Sequence, residues 1–280
     1  MLKEHEVTVA HVAPPIIGFL AKHPAVESAL PLPRLKELFS GAAPLGEELE
    51  SEVRQRLGCG VRQGYGMTEA APATHVVPIE RMHANDASGS VGTLLPGMEC
   101  RVVSTASGEA VGVGEPGELC LRGPNVMKGY LGRPDANAES FDANGFYRTG
   151  DVGYVDERGM YFVIDRVKEL IKVKGFQVPP AELEAVLLGS DAIADAAVIG
   201  LPCAKHGEQP KAYVVRQKGH EGLAAADVAA FLQGKVAEYK QVAPEFVEFV
   251  EAVPKSAAGK ILRKELRAME EARAAARVAA

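Results

Sequence analysis

The sequence predicts an α/β protein that continues into a small antiparallel β unit and then into a mixed α+β domain. Three observations lead to this prediction. Short apolar runs flank a four-residue helical repeat near the start of the chain, turn-rich segments with little helical period follow, and strands and helices alternate again from about residue 168. The chain has 280 residues, of which 47% are apolar and 24% charged, enough for about two globular domains.

The first region has the pattern of parallel α/β structure. Residues 7–12, 35–39 and about 60–65 are short apolar runs that predict strands, and residues 16–22 predict a helix after two prolines. In α/β sheets of this kind, ligands bind in the loops at the carboxyl ends of the strands.

A helix is predicted between the second and third strands. Pro44 suits its first turn, because the missing N–H of proline costs nothing there. Gly58 can end the helix in a left-handed conformation. One apolar face repeats every four residues, at Leu45, Leu49, Val53 and Leu57.

Residues 88–164 predict a small antiparallel β unit of barrel type. Strand candidates at 100–104, 117–122 and 159–164 alternate with turn signals and show little helical period. Residues 156–159 read D-E-R-G and predict a hairpin turn between two apolar segments.

A third region predicts a small α+β domain. Strands are expected at 170–175, 196–200 and 211–216, and helices after Pro179-Pro180, over 224–239 and over 261–277. The charged turn at 165–168 marks the joint. We therefore expect a first domain over 1–166, divided into 1–87 and 88–164, and a second domain over 167–280.

Composition narrows the class of protein. A net charge of −6 argues against nucleic acid as a partner. Four dispersed cysteines without a C-x-x-C pair predict neither a zinc site nor a disulfide framework. We found neither a signal-type apolar run nor a stretch of about 20 apolar residues. The expected protein is soluble, cytoplasmic and not transmembrane.

The first chemical motif spans residues 63–69 and reads Q-G-Y-G-M-T-E. Glycines allow a ligand to approach the backbone N–H groups, and Tyr65 can lie against a flat base. Thr68 offers a hydroxyl, and Glu69 a hard oxygen ligand for magnesium. Taken alone, the motif is also compatible with an ordinary glycine-bearing loop.

The second motif spans residues 147–151 and reads Y-R-T-G-D. A carboxylate such as Asp151 can accept hydrogen bonds from both ribose hydroxyls, as acidic residues do in dinucleotide-binding folds. A capping or turn aspartate is the alternative.

The third motif spans residues 165–177 and reads D-R-V-K-E-L-I-K-V-K-G-F-Q. If Lys172 and Lys174 point to one side of a strand, their like charges repel, and a bound phosphate removes that conflict. An exposed edge strand protected by lysines is the alternative.

The fourth motif spans residues 254–260 and reads P-K-S-A-A-G-K. A lysine on a loop of small residues, here Lys260, can reach an anion and neutralise developing charge. A plain loop lysine is the alternative, and the chain contains no Walker loop. For the chain to lack this chemistry, the non-functional interpretation would have to be correct for all four motifs. The ordered set therefore favours adenylate chemistry.

With S-G-A-A-P-L at 40–45, these motifs resemble the carboxyl-terminal half of the adenylate-forming (AMP-binding) superfamily, in its 4-coumarate–CoA ligase and acyl-CoA synthetase branch. The resemblance covers nearly the whole chain. It implies a truncated large adenylation domain followed by a small mobile carboxyl-terminal domain. It also implies an enzyme that uses ATP and Mg²⁺ to form an acyl-AMP from a small carboxylic acid, and then transfers the acyl group to coenzyme A, releasing AMP.

The resemblance also implies roles for individual residues. Adenine would be bordered by Ala43, Pro44, Gln63, Gly64 and Tyr65. The phosphate would contact Thr68, Mg²⁺ would bind Glu69, and the ribose would be held by Asp151 and Arg166. In the second domain, Lys168 would be the hinge, Lys172 and Gln177 would face the adenylate, Lys174 and Gly175 would line the pantetheine passage, and Lys260 would stabilise charge during adenylation. The acyl pocket would be lined by Ala42, Gly64, Gly66, Pro72 and Ala73.

The chain also departs from the family pattern. Family members are about twice as long and carry a phosphate-binding loop of the form S-G-T-T-G-x-P-K-G, which is not found in these 280 residues. Two hypotheses therefore stay open. One is a ligase that is incomplete as written and has a complementing amino-terminal half as its partner. The other is a non-catalytic module that binds AMP, an acyl-AMP or a partner protein.

Overall fold

A computed structural model describes residues 1–256 and 259–279 of the chain. The chain folds into two compact units, Met1–Val167 and Lys168–Ala280, each with its own hydrophobic core. No helix of the described residues is long and apolar enough to cross a membrane.

The first unit begins with a five-stranded sheet in the order β1-β2-β3-β4-β5. β1, β2 and β3 are parallel, whereas β4 and β5 are antiparallel additions. The strands are β1 (Val9–Val12), β2 (Glu37–Ser40), β3 (Gly60–Gly66), β4 (Ala73–Val76) and β5 (Thr93–Leu94). The helices are α1 (Pro14–Lys22) and α2 (Glu47–Leu57). The strands and helix predicted from the apolar runs are thus confirmed.

The start of α2 was predicted too early. Gly46 has an extended backbone and precedes the first helical residue, so Pro44 lies in the loop rather than in the first turn. Ala42, with φ +74°, already bends this loop away from a helical path. The predicted end is confirmed, because Gly58 has φ +67° and its N–H bonds to the Arg54 carbonyl. Val53 of the predicted apolar face is fully buried in the core.

The second part of the first unit is a four-stranded antiparallel sheet in the order β6-β7-β8-β9. The strands are β6 (Glu99–Val103), β7 (Gly117–Arg122), β8 (Tyr147–Val155) and β9 (Tyr161–Arg166), with helix α3 (Pro134–Ser140) before β8. Within the described residues no pairing joins β6 to β9, so the sheet is open and the expected barrel closure is not found. The hairpin turn between β8 and β9 is confirmed by the Gly159 N–H, which donates to the Asp156 carbonyl.

The second unit is a mixed sheet in the order β11-β10-β13-β12, with β14 parallel to β13. Its strands are β10 (Ile171–Val173), β11 (Phe176–Val178), β12 (Ile193–Cys203), β13 (Gly207–Arg216) and β14 (Val247–Phe249). Its helices are α4 (Pro180–Leu188), α5 (Ala225–Leu232) and α6 (Arg263–Ala279). Both faces of the sheet are covered: Val198 and Val214 pack into one cluster, and Ala197 and Tyr213 into another with Leu266 of α6.

Two predictions for the second unit were wrong. The helix expected over 224–239 ends at Leu232, because Gln233 already has an extended backbone, and Gly234 with φ +74° continues away from the helical path. The strand expected through Lys174 ends at Val173, and Lys174 and Gly175 form the turn of the β10–β11 hairpin with φ +50° and +86°. Lys172 and Lys174 therefore do not lie on one side of a strand, and the repulsion argument fails.

Candidate functional site

The first two loops of the candidate site meet at the carboxyl ends of β2 and β3. The strands are parallel, with Ser40 paired to Gln63, so the loop at 41–44 leaves the sheet beside the last residues of β3. A side-chain carbon placed on Gly41 would lie 3.8 Å from the carbonyl oxygen of Gly64. Five of the residues predicted to line the site lie at this edge, namely Ala42, Ala43, Pro44, Gly64 and Tyr65.

The chain reverses tightly after β3. A side-chain carbon on Gly66 would lie 2.0 Å from the Pro72 carbonyl oxygen, so only glycine fits at this close approach. The Met67 N–H donates to the same carbonyl over 2.7 Å. The reversal brings Gly66, Pro72 and Ala73 together, and it leaves Thr68 exposed and Glu69 half-buried on the turn between them. The glycine is therefore required by the backbone, whatever ligand lies nearby.

Tyr65, Asp151 and Arg166 form one hydrogen-bonded group. The Tyr65 hydroxyl donates to Oδ2 of Asp151 over 2.6 Å, and Arg166 Nε lies 3.3 Å from Oδ1. Asp151 and Arg166 are paired residues of β8 and β9, so the sheet register sets their contact. The hydrogen bond between Tyr65 and Asp151 thus joins residues that are 86 positions apart in the chain.

The backbone around Asp151 is fixed by its neighbours. The Asp151 N–H donates to the Thr149 hydroxyl over 3.0 Å, and that hydroxyl donates to the Leu119 carbonyl over 2.7 Å. Gly150, with φ +70°, donates its N–H to Glu118 Oε1 over 3.1 Å. The pKa of Tyr65 is raised well above its ordinary value, mainly by burial and secondly by the nearby Asp151 carboxylate. Its hydroxyl therefore stays a donor.

Glu69 is held by residues that our sequence reasoning did not single out. The Tyr130 hydroxyl donates to Glu69 Oε1 over 2.8 Å and lies 3.3 Å from the Tyr147 hydroxyl. The Met127 N–H donates to the Glu69 carbonyl over 2.7 Å. The only signal in the sequence was the run G-P-N-V-M-K-G-Y at 123–130, in which two glycines flank an amide and an aromatic follows the second glycine, and this run alone predicts only a loop.

Gln63 is placed differently from its expected role. Its side chain is buried, and Nε2 donates to the Leu45 carbonyl over 3.1 Å and to Glu50 Oε2 over 2.9 Å. The amide therefore ties β3 to α2, and only the backbone of Gln63 remains available to border a base. Burial raises the pKa of Glu50, and its bonds to Gly89 and Gln63 act in the opposite direction.

Two buried polar side chains, Thr74 and His75, lie next to Tyr65. Thr74 donates to the Tyr65 carbonyl over 3.2 Å and lies 2.9 Å from His75 Nδ1. The His75 ring packs 4.4 Å from the ring of Tyr161, and its Nε2 has no hydrogen-bond partner among the described residues. Burial lowers the pKa of His75 to about 4, so the ring is neutral near pH 7.

The second unit presents its candidate residues on exposed surfaces. Lys172 and Gln177 are paired across the β10–β11 hairpin, so their side chains share its exposed face. Lys174 and Gly175 form the exposed turn, where the Lys174 N–H donates to the His206 carbonyl over 2.8 Å. Lys168 is the exposed first residue of this unit.

Lys260 lies three residues before the start of α6 and is exposed. Lys255 and Ile261 form an antiparallel bridge, and the Ser256 N–H donates to the Lys260 carbonyl over 2.9 Å. Ala257 and Ala258 of the fourth motif lie outside the described residues. The other lysine of that motif, Lys255, is paired with Asp195 over 2.7 Å, so its charge is already neutralised within the second unit.

The carboxylates of the described residues are compatible with a magnesium ion that is also bound by a nucleotide. Within the described residues no group of three or more His, Cys, Asp or Glu side chains could hold a metal. Mg²⁺ commonly binds one or two carboxylates and completes its shell with water and substrate phosphates. A single half-buried carboxylate, Glu69, is compatible with that mode.

The first unit therefore has the features of a nucleotide-binding α/β protein, with a glycine-bearing loop next to a hydrogen-bonded carboxylate. Two family models match the chain: "AMP-binding enzyme" over residues 1–131 and "AMP-binding enzyme C-terminal domain" over residues 182–260. The chain belongs to the AMP-binding, adenylate-forming enzyme family, as the motifs predicted.

Curated proteins similar to this chain include CoA ligases by name. The chain is 45% identical over 269 residues to a probable 4-coumarate–CoA ligase 2 of Dictyostelium discoideum, an alignment of 95% of this chain and 48% of that one. It is 48% identical over 264 residues to 4-coumarate-CoA ligase 2 of Narcissus pseudonarcissus, with 94% and 46% covered. The chain thus spans about half the length of the curated relatives it matches.

Solved structures support the same family. ATP-bound MatB from Rhodopseudomonas palustris matches with a TM-score of 0.85 and 32% identity, over 96% of this chain and 52% of that one. The o-succinylbenzoate CoA synthetase MenE from Bacillus subtilis, in complex with the acyl-adenylate OSB-AMP, matches with a TM-score of 0.80 and 33% identity, over 95% and 52%. The predicted mixed α/β fold class is confirmed.

Proposed function

We propose that this chain is the AMP-binding part of a carboxylate–CoA ligase of the 4-coumarate–CoA ligase type. The observation that carries the proposal is the group formed by Tyr65, Asp151 and Arg166 beside the glycine-bearing end of β3. The substrates proposed are a small carboxylic acid, ATP with Mg²⁺, and coenzyme A.

Asp151 would hold the ribose. An ionised carboxylate offers about four acceptor positions, and that of Asp151 accepts a hydrogen bond from Tyr65 and lies next to Arg166. Because its backbone is fixed by Thr149 and Gly150, the carboxylate is oriented before the ligand arrives. The exposed loop at 42–44 and the backbone of Gly64 would border the adenine.

Glu69 would hold the magnesium, and the exposed Thr68 hydroxyl would contact the phosphate. When bound, Mg²⁺ neutralises charge on the phosphates of ATP. The acyl pocket would be lined by Ala42, Gly64, Gly66, Pro72 and Ala73, whose small side chains leave room for a flat acyl group.

The residues of the second unit would act on the reacting groups in turn. In adenylation, a carboxylate oxygen attacks the α-phosphorus and pyrophosphate leaves, and Lys260 would stabilise the charge that develops there. In thioester formation, the thiol loses its proton, its sulfur attacks the acyl carbon, and AMP leaves. Lys168 would be the hinge between the two steps, Lys172 and Gln177 would face the adenylate, and Lys174 and Gly175 would line the pantetheine passage.

The backbone of Lys174 supports a functional role for this residue. A lysine at φ +50° costs free energy that glycine would not, and such residues cluster at functional sites. Its exposed side chain forms no ion pair within the described residues, so packing does not explain why a lysine stands there.

A second candidate function is binding of AMP or an acyl-AMP without catalysis by this chain alone. It is favoured by one observation: the 280 residues include no serine/threonine/glycine-rich loop ending in P-K-G. Under this alternative the ribose and adenine contacts would be retained and no acid would be activated.

The two candidates are separated by assaying AMP release. The chain is incubated with ATP, Mg²⁺, coenzyme A and a panel of aromatic and aliphatic carboxylic acids, with and without a separately expressed amino-terminal half of a related ligase. Acid-dependent AMP release with the added half supports the ligase. AMP binding by calorimetry without release under any condition supports the second candidate. If the chain neither binds AMP nor releases it, both proposals are wrong.

A further inference from the structure

The segment at 125–130 contacts the turn that carries Glu69 at several points. Asn125 Nδ2 donates to the carbonyls of Ala70 over 2.6 Å and Ala73 over 2.9 Å. The Met127 N–H donates to the Glu69 carbonyl over 2.7 Å, and the Tyr130 hydroxyl donates to Glu69 Oε1 over 2.8 Å. The backbone of the turn and the Glu69 carboxylate are therefore both held by one neighbouring segment.

Tyr130 is itself fixed by α3. Its N–H donates to Asn137 Oδ1 over 2.6 Å, and Asn137 Nδ2 donates to its carbonyl over 3.0 Å. A side-chain carbon placed on the preceding Gly129 would lie 2.9 Å from the Asn137 amide, so the amide packs directly against this backbone. The Tyr147 hydroxyl, 3.3 Å from the Tyr130 hydroxyl, restricts the ring further. Tyr130, the residue that donates to Glu69, is thus held both at its backbone and at its hydroxyl.

The chemistry of the donor is as informative as its position. Glu69 has no ion pair within the described residues, and its side-chain partner is a neutral hydroxyl. A lysine or arginine in the same place would neutralise the carboxylate. A hydroxyl orients one oxygen and leaves the negative charge for a cation.

We propose that Tyr130 is a positioning residue that orients the Glu69 carboxylate for the divalent cation accompanying the nucleotide. This inference rests on the proposed function. Carboxylates that bind metals are commonly hydrogen-bonded by outer neighbours, whose loss lowers metal affinity about 10–100-fold. Tyr130→Phe removes the hydroxyl and keeps the ring, so we expect cation binding to fall by about tenfold.

The test measures how much Mn²⁺ increases the affinity of the 280-residue chain for ATP, by calorimetry with and without the metal. Mn²⁺ replaces Mg²⁺ because its EPR signal reports metal binding independently of heat. The variants are Tyr130→Phe, Glu69→Gln and the double variant. Tyr154→Phe is the matched control, since its ring stacks on Phe162 and its hydroxyl makes no hydrogen bond within the described residues.

The expected pattern has four parts. Tyr130→Phe reduces the Mn²⁺-dependent gain about tenfold and leaves metal-free affinity for ATP unchanged. Glu69→Gln removes the gain, the double variant loses no more than Glu69→Gln alone, and Tyr154→Phe behaves as the wild type. A merely structural Tyr130 would weaken binding further in the Glu69→Gln background.

Other outcomes overturn the inference. If Tyr130→Phe retains the full gain, or if the wild type binds ATP without any gain from Mn²⁺, Tyr130 does not act through a cation at Glu69. If the wild type binds neither ATP nor AMP, the proposed function fails and the inference fails with it.

Discussion

Asp151 in the first unit and Lys172 in the second show two different ways of holding a charge. The Asp151 side chain is 13% exposed and contacts a half-buried tyrosine and an arginine. Lys172 is exposed, and its side chain forms no ion pair within the described part of the chain. The charge of Asp151 is oriented by neighbouring side chains, whereas that of Lys172 has no ionic partner among the described residues.

Because of this difference in burial, the polar groups of the first unit and the lysines of the second contribute differently to stability. Buried polar groups must be satisfied, so they contribute to both stability and geometry, and changing them affects both. Exposed lysines contribute little to stability and can change partners without a large cost. We therefore expect substitutions of the buried polar groups in the first unit to affect folding and binding, and loss of the exposed lysine charges in the second unit to affect reaction steps more than folding.

The largest expected effect is on catalysis and comes from the second unit. In the ligase completed by an amino-terminal half, Lys260→Ala should slow adenylation by about 10²–10³, because one electrostatic donor to the developing charge is lost. Thioester formation from preformed acyl-AMP should change far less. Single-turnover rates of the two half-reactions measure this, with Lys264→Ala on the exposed start of α6 as control. Equal losses in both half-reactions would remove Lys260 from its proposed role.

The next effect is on stability and tests the buried polar groups of the first unit. The pKa of His75 is lowered from 6.5 to about 4 by burial, so the unfolded state binds a proton more readily than the folded state. The stability that neutral His75 contributes is therefore complete above pH 6.5 and is lost as the pH falls towards 4. Between pH 7 and pH 4.5, the wild type should lose about 2–3 kcal/mol more than His75→Phe.

Urea unfolding at the two pH values measures this difference, with hydrogen exchange of the β3 amides reporting on the first unit. Any packing change in the variant is the same at both pH values and cancels in the comparison. The exposed His220→Gln is the control and should follow the wild type. Parallel pH dependence in the wild type and His75→Phe would show that the buried ring does not determine it.

The smallest effect concerns the turn of the second unit. Lys174→Gly should raise the free energy of unfolding by up to about 1 kcal/mol, because glycine adopts φ +50° without the strain of a side chain. Lys172→Gly, one residue before the end of β10, should instead lower it by about 0.5–1 kcal/mol. Denaturant titration compares the pair. If both changes destabilise equally, the backbone at Lys174 is not strained, and that support for its functional role is lost.

Sequence patterns predicted the regular elements better than the side-chain partners. The apolar repeat through Val53 gave α2, because its period of about four matches the helix and its core face is continuous. Lys174 was wrongly predicted to lie in a strand. A lysine rarely adopts a positive φ, so its residue type does not indicate the turn that it forms. The helix predicted over 224–239 was too long, because its alanine-rich composition gave no indication that Gln233 is extended and ends the helix at Leu232.

The candidate site was predicted in outline, but its supporting contacts were not. Motif order identified Tyr65, Asp151 and Arg166, but their mutual hydrogen bonds depend on sheet register, which the sequence alone does not specify. Gln63 was assigned to a ligand, whereas its amide bonds to Leu45 and Glu50 of the helix region. Tyr130 was missed because a contact between residues 61 positions apart has no local pattern.

The central claim is that Asp151 holds the ribose of AMP, and the removal of ribose hydroxyls tests it most directly. Calorimetry compares AMP with 2′,3′-dideoxy-AMP on the wild-type chain and on Asp151→Asn. The wild type should bind dideoxy-AMP about 10–100-fold more weakly, because hydrogen bonds to a charged group are lost, and Asp151→Asn should bind both nucleotides with similar, weak affinity. Equal binding of both nucleotides by the wild type would contradict the account.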